Sequence, residues 1–330
     1  MENPFKYSDT NKRYHTFDYY VKHRFGKKVV KVGLDGGFSC PNRDGTKGVG
    51  GCAFCGAGGA ESLPLGRNEG LPPSLDLQYE QGRARLAKKW GNAPVIAYFQ
   101  SYSSTHAPLS VLKELYERAL SLEDVVGLTV STRPDCLPRD VLEYLTELNQ
   151  RTVLTVELGL QTTFDETARR MNRGHSYATF LEGYAALKER GIAVGVHLIN
   201  GLPGEDREMM LENARRVGAL APDLLKIHSI YYRKGTALEK GFLRGEYTPM
   251  SLEEYVFLVA DQLPLIPGKT VMERLTGDPL RSELVAPFWT ADKKKVLSLL
   301  DRTLAERDIF QGMEVDLCKM HKNHGDISLF

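Results

Sequence analysis

Six apolar runs of strand length, set between helical patterns, are the strongest constraint this chain places on its own fold. They read "KVVKVGLD" from Lys28, "PVIAYFQ" from Pro94, "VVGLTVST" from Val125, "TVLTVELGLQ" from Thr152, "AVGVHLING" from Ala193 and "LLKIHSIYY" from Leu224. Each is almost continuous in hydrophobicity and rich in β-branched residues. That suits strands buried on both faces of a parallel sheet. Between the runs, Leu109, Leu112, Leu115, Tyr116 and Ala119 recur at helical spacing, as do Val141, Leu142, Leu145 and Leu148. Pro138 precedes the second of these helices, Ser176 can cap "YATFLEGYAALKER" before Gly191 ends it, and Ser251 to Glu254 has capping-box spacing. Six β-α units in succession imply right-handed crossovers. The expected fold is therefore α/β, either an open partial (β/α)6 barrel or a doubly wound sheet, with ligands gathered at the carboxyl ends of the strands.

Beyond Met250 the pattern changes to helices interrupted by "ERLTGDPLRSELVAPFW". Residues 1–250 are read as the barrel with its N-terminal segment, and residues 251–330 as a helical extension packed on it. Forty-three Lys and Arg against 42 Asp and Glu leave a formal charge of +1, so the molecule as a whole has no field that draws nucleic acid or an anionic membrane. The first residues lack the apolar core of a signal peptide, and no run reaches the length of a membrane span, so a cytoplasmic protein is expected.

Five cysteines in a chain read as cytoplasmic argue for metal or redox chemistry rather than a disulfide framework. Three of them, Cys40, Cys52 and Cys55, fall in "SCPNRDGTKGVGGCAFCGAGG", the loop that follows the first strand. A CxxC pair directs two thiolates into one concavity, and glycines let backbone N–H groups approach sulfur. A 4Fe-4S cluster with one iron left open fits this set best. A structural zinc site needs a fourth ligand, for which His23, His106 and His197 are distant candidates, and unligated thiols are the remaining alternative. Cys136 and Cys318 are read as small buried hydrophobes.

Together with "STRPDCL" at Ser131, "VELGLQTTFDETARRMNRGH" at Val156, "HLINGLPGE" at His197 and "RLTGD" at Arg274, this loop resembles the radical S-adenosylmethionine (SAM) enzymes. The likeness is to the elongator-catalytic-subunit-like branch and its short bacterial members of the YhcC/YtqA type, and it runs from about Tyr14 to Gly312. It implies the open partial barrel of that superfamily. By the same resemblance Cys40, Cys52 and Cys55 hold a 4Fe-4S cluster whose open iron is chelated by SAM, and Phe54 meets the adenine. An electron donor such as flavodoxin or ferredoxin is also implied.

Polar residues that close the strands fit ligand contacts, because such groups are costly in apolar strands unless something meets them. They are Gln100 and Ser101, Ser131 and Arg133, Glu157 and Gln161, and Asn200 with Gly201. Glu157 is expected to accept from ribose hydroxyls. Arg133 is expected to meet the SAM carboxylate or to pair with Asp135. His197 is balanced between core and site, and "GLPGE" between an adenosine contact and a strand-to-helix turn. His228, Tyr231 and Arg233, after the sixth strand, and Asp278 in "RLTGD" are the candidates to meet substrate, with Tyr232 and Lys234 beside them.

Elongator-like relatives act on wobble uridine, so the resemblance implies a tRNA substrate. Lys12, Arg13, Lys22, Arg24, Lys27 and Lys28, interleaved with Tyr14, Phe17, Tyr19, Tyr20 and Phe25, are the residue types a single-stranded RNA loop requires, and "KKK" from Lys293 adds charge. Two departures from the family stand out. The first cysteine gap is long, as is typical of this branch, and the acetyltransferase domain that follows in elongator has no counterpart, so trimming of an existing uridine C5 substituent is one expected reaction. A small metabolite or peptide is the alternative substrate, and a non-enzymatic zinc or RNA-binding protein is the alternative class.

Overall fold

The computed structural model describes residues 3–56 and 72–315. Cys318 and residues 57–59 of the glycine-rich loop lie outside them. In chain order the elements are α1 (Phe17–Phe25), β1 (Val30–Leu34), α2 (Leu75–Trp90), β2 (Val95–Phe99), α3 (Leu109–Leu120), β3 (Val125–Thr132), α4 (Arg139–Arg151), β4 (Val153–Gln161), α5 (Asp165–Arg170) and α6 (Tyr177–Lys188). They continue as β5 (Ala193–Asn200), α7 (Arg207–Leu220), β6 (Leu224–Ser229), β7 (Tyr232–Arg233), α8 (Ala237–Leu243), α9 (Leu252–Gln262), β8 (Val271–Arg274), β9 (Leu284–Ala286) and α10 (Lys293–Glu306).

Each of the six apolar runs forms a strand, and they pair in parallel in sequence order, β1 to β6, as a half-barrel. Burial explains their composition: every residue of β2 is buried, and Val130, Val156, Leu158, Val194, Val196 and Ile227 are sealed in one continuous core. The helices cover the outer face with the stripes their spacing predicts. On α4, Val141, Leu142, Tyr144, Leu145 and Leu148 are all buried; truncating one such leucine to alanine costs about 2–5 kcal/mol.

Local chemistry sets the helix ends. The Ser176 side chain accepts from Thr179 N, Gly191 turns the chain at positive φ, and Ser251 and Glu254 complete a reciprocal capping box. Pro138 occupies the N-cap of α4, where its missing N–H is no loss.

The segment beyond Met250 supplies α9 and α10, as expected, and also a seventh strand. β8 pairs in parallel with β6 and extends the sheet. Its outer residues Val271 and Met272 are buried, while Glu273 turns toward charged partners inside the barrel, so four residues with two charges do not read as a strand. A short antiparallel ribbon, β7 with β9, stands beyond the carboxyl end of β6. Among the described residues no helix is long and apolar enough to cross a membrane.

Candidate active site

The cysteine loop leaves β1 at the carboxyl edge of the sheet and is pinned there by its own backbone. Arg43 N and Asp44 N donate to Cys40 O at 2.7 and 3.1 Å, and Cys55 N donates to Cys52 O at 2.9 Å. The Asp44 carboxylate accepts from Thr46 N at 3.0 Å, Thr46 Oγ1 at 2.6 Å, His106 Nε2 at 2.9 Å and Ser39 Oγ. These contacts hold it well below the usual carboxylate range. Gly51, at φ 73°, lets Arg43 pass close beneath the loop; a Cβ there would meet Arg43 Nε at 2.6 Å.

The turn between α5 and α6 clamps the loop from above. Ala53 N donates to Met171 O at 2.9 Å, Asn172 Nδ2 to Gly51 O at 2.8 Å, and Arg173 Nη1 to Cys52 Sγ at 3.2 Å. Arg43 Nη2 reaches Cys55 O at 3.0 Å and Gly56 O at 2.7 Å. The thiols therefore sit among guanidinium groups. A hydrogen bond from Cys55 and the charges of Arg173 and Arg133 hold the Cys52 thiol well below its ordinary value despite burial, while donation to Cys52 and burial push Cys55 up. Cys136 is buried apart from them, with its thiol pushed up to about 12 chiefly by burial.

Cys40, Cys52 and Cys55 open onto one pocket with Phe54, Gln100, Ser131, Arg133, Gln161, His228 and Tyr231. Ten of the residues expected from the sequence thus come together. Gln161 has φ 76° beside a register shift between β4 and β5, an irregularity that turns it toward the pocket mouth. Arg133 is bidentate to Asp135, both bonds 2.9 Å, and donates to Arg173 O at 2.6 Å. Its guanidinium overrides the burial of Asp135 and holds that carboxyl at about 2.

The other expected residues lie elsewhere. Ser101 is buried beneath the loop after β2, its carbonyl accepting from Ser104 Oγ at 3.4 Å. Asn200 exchanges hydrogen bonds of 2.8 and 3.0 Å with Gln262 of α9, and Gly201 N donates to Met210 Sδ at 3.0 Å, both behind the sheet edge. Arg233 pairs with Glu283 across the ribbon and backs against Gly56. Asp278 is half exposed, 3.7 Å from Lys293 and 3.9 Å from Arg274.

Glu157 lies below the pocket, only 1% exposed, in a closed ionic cluster inside the barrel. Its carboxylate accepts from Lys226 Nζ at 2.6 Å, Tyr98 OH at 2.7 Å, His197 Nε2 at 2.8 Å and Lys31 Nζ at 2.9 Å. Lys31 and Lys226 also reach Glu273 Oε1 at 2.8 and 3.2 Å. Burial alone would raise Glu157, but the two ammonium groups outweigh it and keep the carboxyl well below its usual range. Burial and Lys226 lower His197, and burial with Arg274 lowers His228 much further, so both imidazoles at the pocket floor are neutral. Within that cluster two lysines face two glutamates and their charges balance.

Several pocket residues escape sequence reasoning: Arg43, Tyr98, Tyr102, Ser103, Thr132, Gly159 and Arg173. Arg173 stands inside the quoted "RRMNRGH", but nothing in one sequence says that this turn folds over the cysteines. The basic N-terminal stretch is largely committed to internal contacts. Lys12 pairs with Asp301, Arg13 with Asp308, and both Lys22 and Lys28 with Asp18. Helix α1 packs Phe17, Tyr20 and Val21 against Val29 and Ile96, at the sheet edge opposite the pocket.

The donor set suits an anionic iron-sulfur centre: three thiols and the guanidinium groups of Arg43, Arg133 and Arg173, the last with a buried Nε that has no partner among the described residues. Among the described residues no three His, Cys, Asp or Glu side chains converge as the ligands of a single ion do.

The chain is similar to known proteins in sequence and in fold. The sequence pattern of the Radical SAM superfamily matches residues 43–217, and that of the Radical_SAM C-terminal domain matches residues 222–306. The Bacillus subtilis protein YtqA is 46% identical over 312 residues, covering 94% of this chain and 96% of that relative. The tRNA uridine(34) acetyltransferase of Methanocaldococcus jannaschii is 30% identical over 156 residues, 46% of this chain and 28% of that one. In fold, the archaeal Methanocaldococcus infernus Elp3 superimposes with a TM-score of 0.64 at 18% identity, over 86% of this chain and 64% of that chain. With more than half of its length matching the superfamily pattern and nearly all of it aligned to YtqA, the chain belongs to the radical SAM superfamily.

Proposed function

We propose that Cys40, Cys52 and Cys55 hold a 4Fe-4S cluster in this pocket and that the enzyme modifies the C5 substituent of wobble uridine in tRNA. The observation that carries the first half is the convergence of the three thiols on one cleft at the carboxyl edge of the half-barrel, under a canopy of Arg43 and Arg173. When bound, the cluster supplies the electron that cleaves SAM to methionine and a 5′-deoxyadenosyl radical. The chain's own part is to orient and exclude. Phe54, Ile199 and Ile230 supply apolar wall, while Gln100, Ser131 and Gln161 offer amide and hydroxyl groups to a bound nucleoside. The neutral floor of His197 and His228 presents donors and acceptors without a charge that would compete for the substrate.

The tRNA half rests on the similarity to a tRNA uridine(34) acetyltransferase and on exposed cations in the chain beyond β6, Lys234, Arg281 and Lys293. A small metabolite or peptide is the second reading. The internal pairing of the N-terminal cations favours it, because those residues are then less available to phosphates.

Anaerobic reconstitution with iron and sulfide, followed by reduction with SAM, tests the chemistry. A brown protein that releases 5′-deoxyadenosine, matched by a Cys52→Ala/Cys55→Ala variant that does not, is expected; a colourless zinc protein that leaves SAM intact would overturn it. The substrate is tested by incubating tRNA with the active enzyme and weighing its wobble nucleoside, together with the salt dependence of tRNA binding. Phosphate contacts give a steep loss of affinity with salt; a salt-insensitive affinity and an unchanged nucleoside mass would favour the small substrate.

A further inference from the structure

Arg173 is 5% exposed and, among the described residues, has no carboxylate within ion-pair distance. Its neighbour Arg133 differs, being matched bidentately by Asp135. A buried guanidinium without a counter-ion is costly unless some other anion meets it. What Arg173 meets is sulfur. Nη1 donates to Cys52 Sγ at 3.2 Å, while Nη2 donates to Gly159 O and, at 2.9 Å, to His175 Nε2. Among the described residues Nε has no partner, and it is buried. The Gly159 carbonyl belongs to β4 and Cys52 to the loop after β1, so one planar fork ties the cysteine loop to the centre of the barrel. The Phe54 ring, 6.0 Å from the guanidinium, is part of the same surround.

We propose that Arg173 is the counter-charge of the iron-sulfur centre, a positioning residue that donates to the Cys52 sulfur and raises the electron affinity of the cluster. The inference rests on the cluster reading above. Its physical basis is that net charge and hydrogen bonds to the sulfurs set a cluster's reduction potential. Taking up an electron adds negative charge, and a fixed cation beside a cysteinyl sulfur favours that state. Arginine suits the task because it stays ionised when buried and its fork holds two acceptors at once.

The test is a redox titration followed by electron paramagnetic resonance on reconstituted wild type, Arg173→Met, Arg173→Gln and Arg173→Lys, each checked for iron content and for native circular dichroism. Both neutral variants are expected to bind an electron at least tenfold more weakly, a midpoint more negative by about 59 mV for a one-electron couple. Arg173→Lys, which keeps the charge without the fork, is expected to lie between them and wild type. A full cluster in either neutral variant with the wild-type midpoint would overturn the proposal. Should the neutral variants fail to retain iron, retention by Arg173→Lys alone is the same dependence on charge, read at assembly. Loss of iron in all three would make Arg173 a structural clamp and refute the counter-charge role. A wild type that forms no cluster would sink the underlying reading instead, which is a different result.

Discussion

Replacing Glu157 by glutamine separates a structural ionic cluster from a cofactor contact. The carboxylate accepts from two ammonium groups, a phenol and an imidazole at 2.6–2.9 Å and is 1% exposed. Glutamine keeps the shape but removes the charge and turns one acceptor into a donor among donors. Lys31 and Lys226 would then share the single carboxylate of Glu273. Breaking a buried ion pair by removing one partner costs about 3–5 kcal/mol. For 330 residues, an unfolding entropy of about 2.1 cal/mol/K per residue amounts to roughly 0.7 kcal/mol/K, so Tm should fall by about 4–7 °C. Thermal scans at one fixed rate, compared with wild type, measure it. The Glu157→Gln/Lys226→Met double variant should lose less than the two single losses added together, because it removes the stranded charge along with its partner. A Tm drop below about 1.5 °C, combined with a several-fold weaker SAM affinity, would refute the closed-cluster reasoning and return Glu157 to a ligand-facing role.

Stability should also fall in mild acid. His15, His175, His197 and His228 are all lowered by burial, His175 to about 3, so the unfolded chain takes up protons first once the pH drops below the ordinary imidazole value of 6.5. Each such group withdraws about 1.4 kcal/mol per pH unit until its folded pKa is reached, or about 2 kcal/mol from His175 alone by pH 5; equal urea midpoints at pH 7.5 and pH 5 would contradict neutral buried rings. Asn200→Ala should cost about 1–3 kcal/mol, because Gln262 loses its reciprocal partner in a sealed layer, yet leave SAM affinity within about twofold. A large change in SAM affinity with unchanged Tm would move Asn200 into the site. Gly218→Ala should destabilise by about 1–3 kcal/mol through overpacking, since its Cβ would sit 2.2 Å from the Leu265 carbonyl oxygen, and an unchanged denaturation midpoint would show that α7 can shift to make room.

Which parts of the molecule were legible follows from where each residue's partner lies. The six long strands could be read because burial on both faces writes itself into consecutive residues. β8 could not, because Glu273 faces a charged interior that exists only once Lys31 and Lys226 arrive from two other strands. The cysteine pocket was legible because the chain itself brings Cys52, Phe54 and Cys55 together and surrounds them with glycine. The strand-end residues divide along the same line. Gln100, Ser131 and Gln161 stop at the edge of the sheet and line the pocket, whereas Glu157, four residues short of the end of β4, meets its partners within the barrel. Asn200 closes β5 but finds Gln262 on a helix 62 residues away. The premise that a polar group in an apolar strand must be met by something holds for Glu157 and Asn200, whose partners are other side chains; what one sequence lacks is the cross-strand distance that decides between a ligand and a side chain. Arg173 is the sharpest case. Its motif was legible, yet its importance comes from having no carboxylate beside it among the described residues, and that follows only from which side chains the fold brings near.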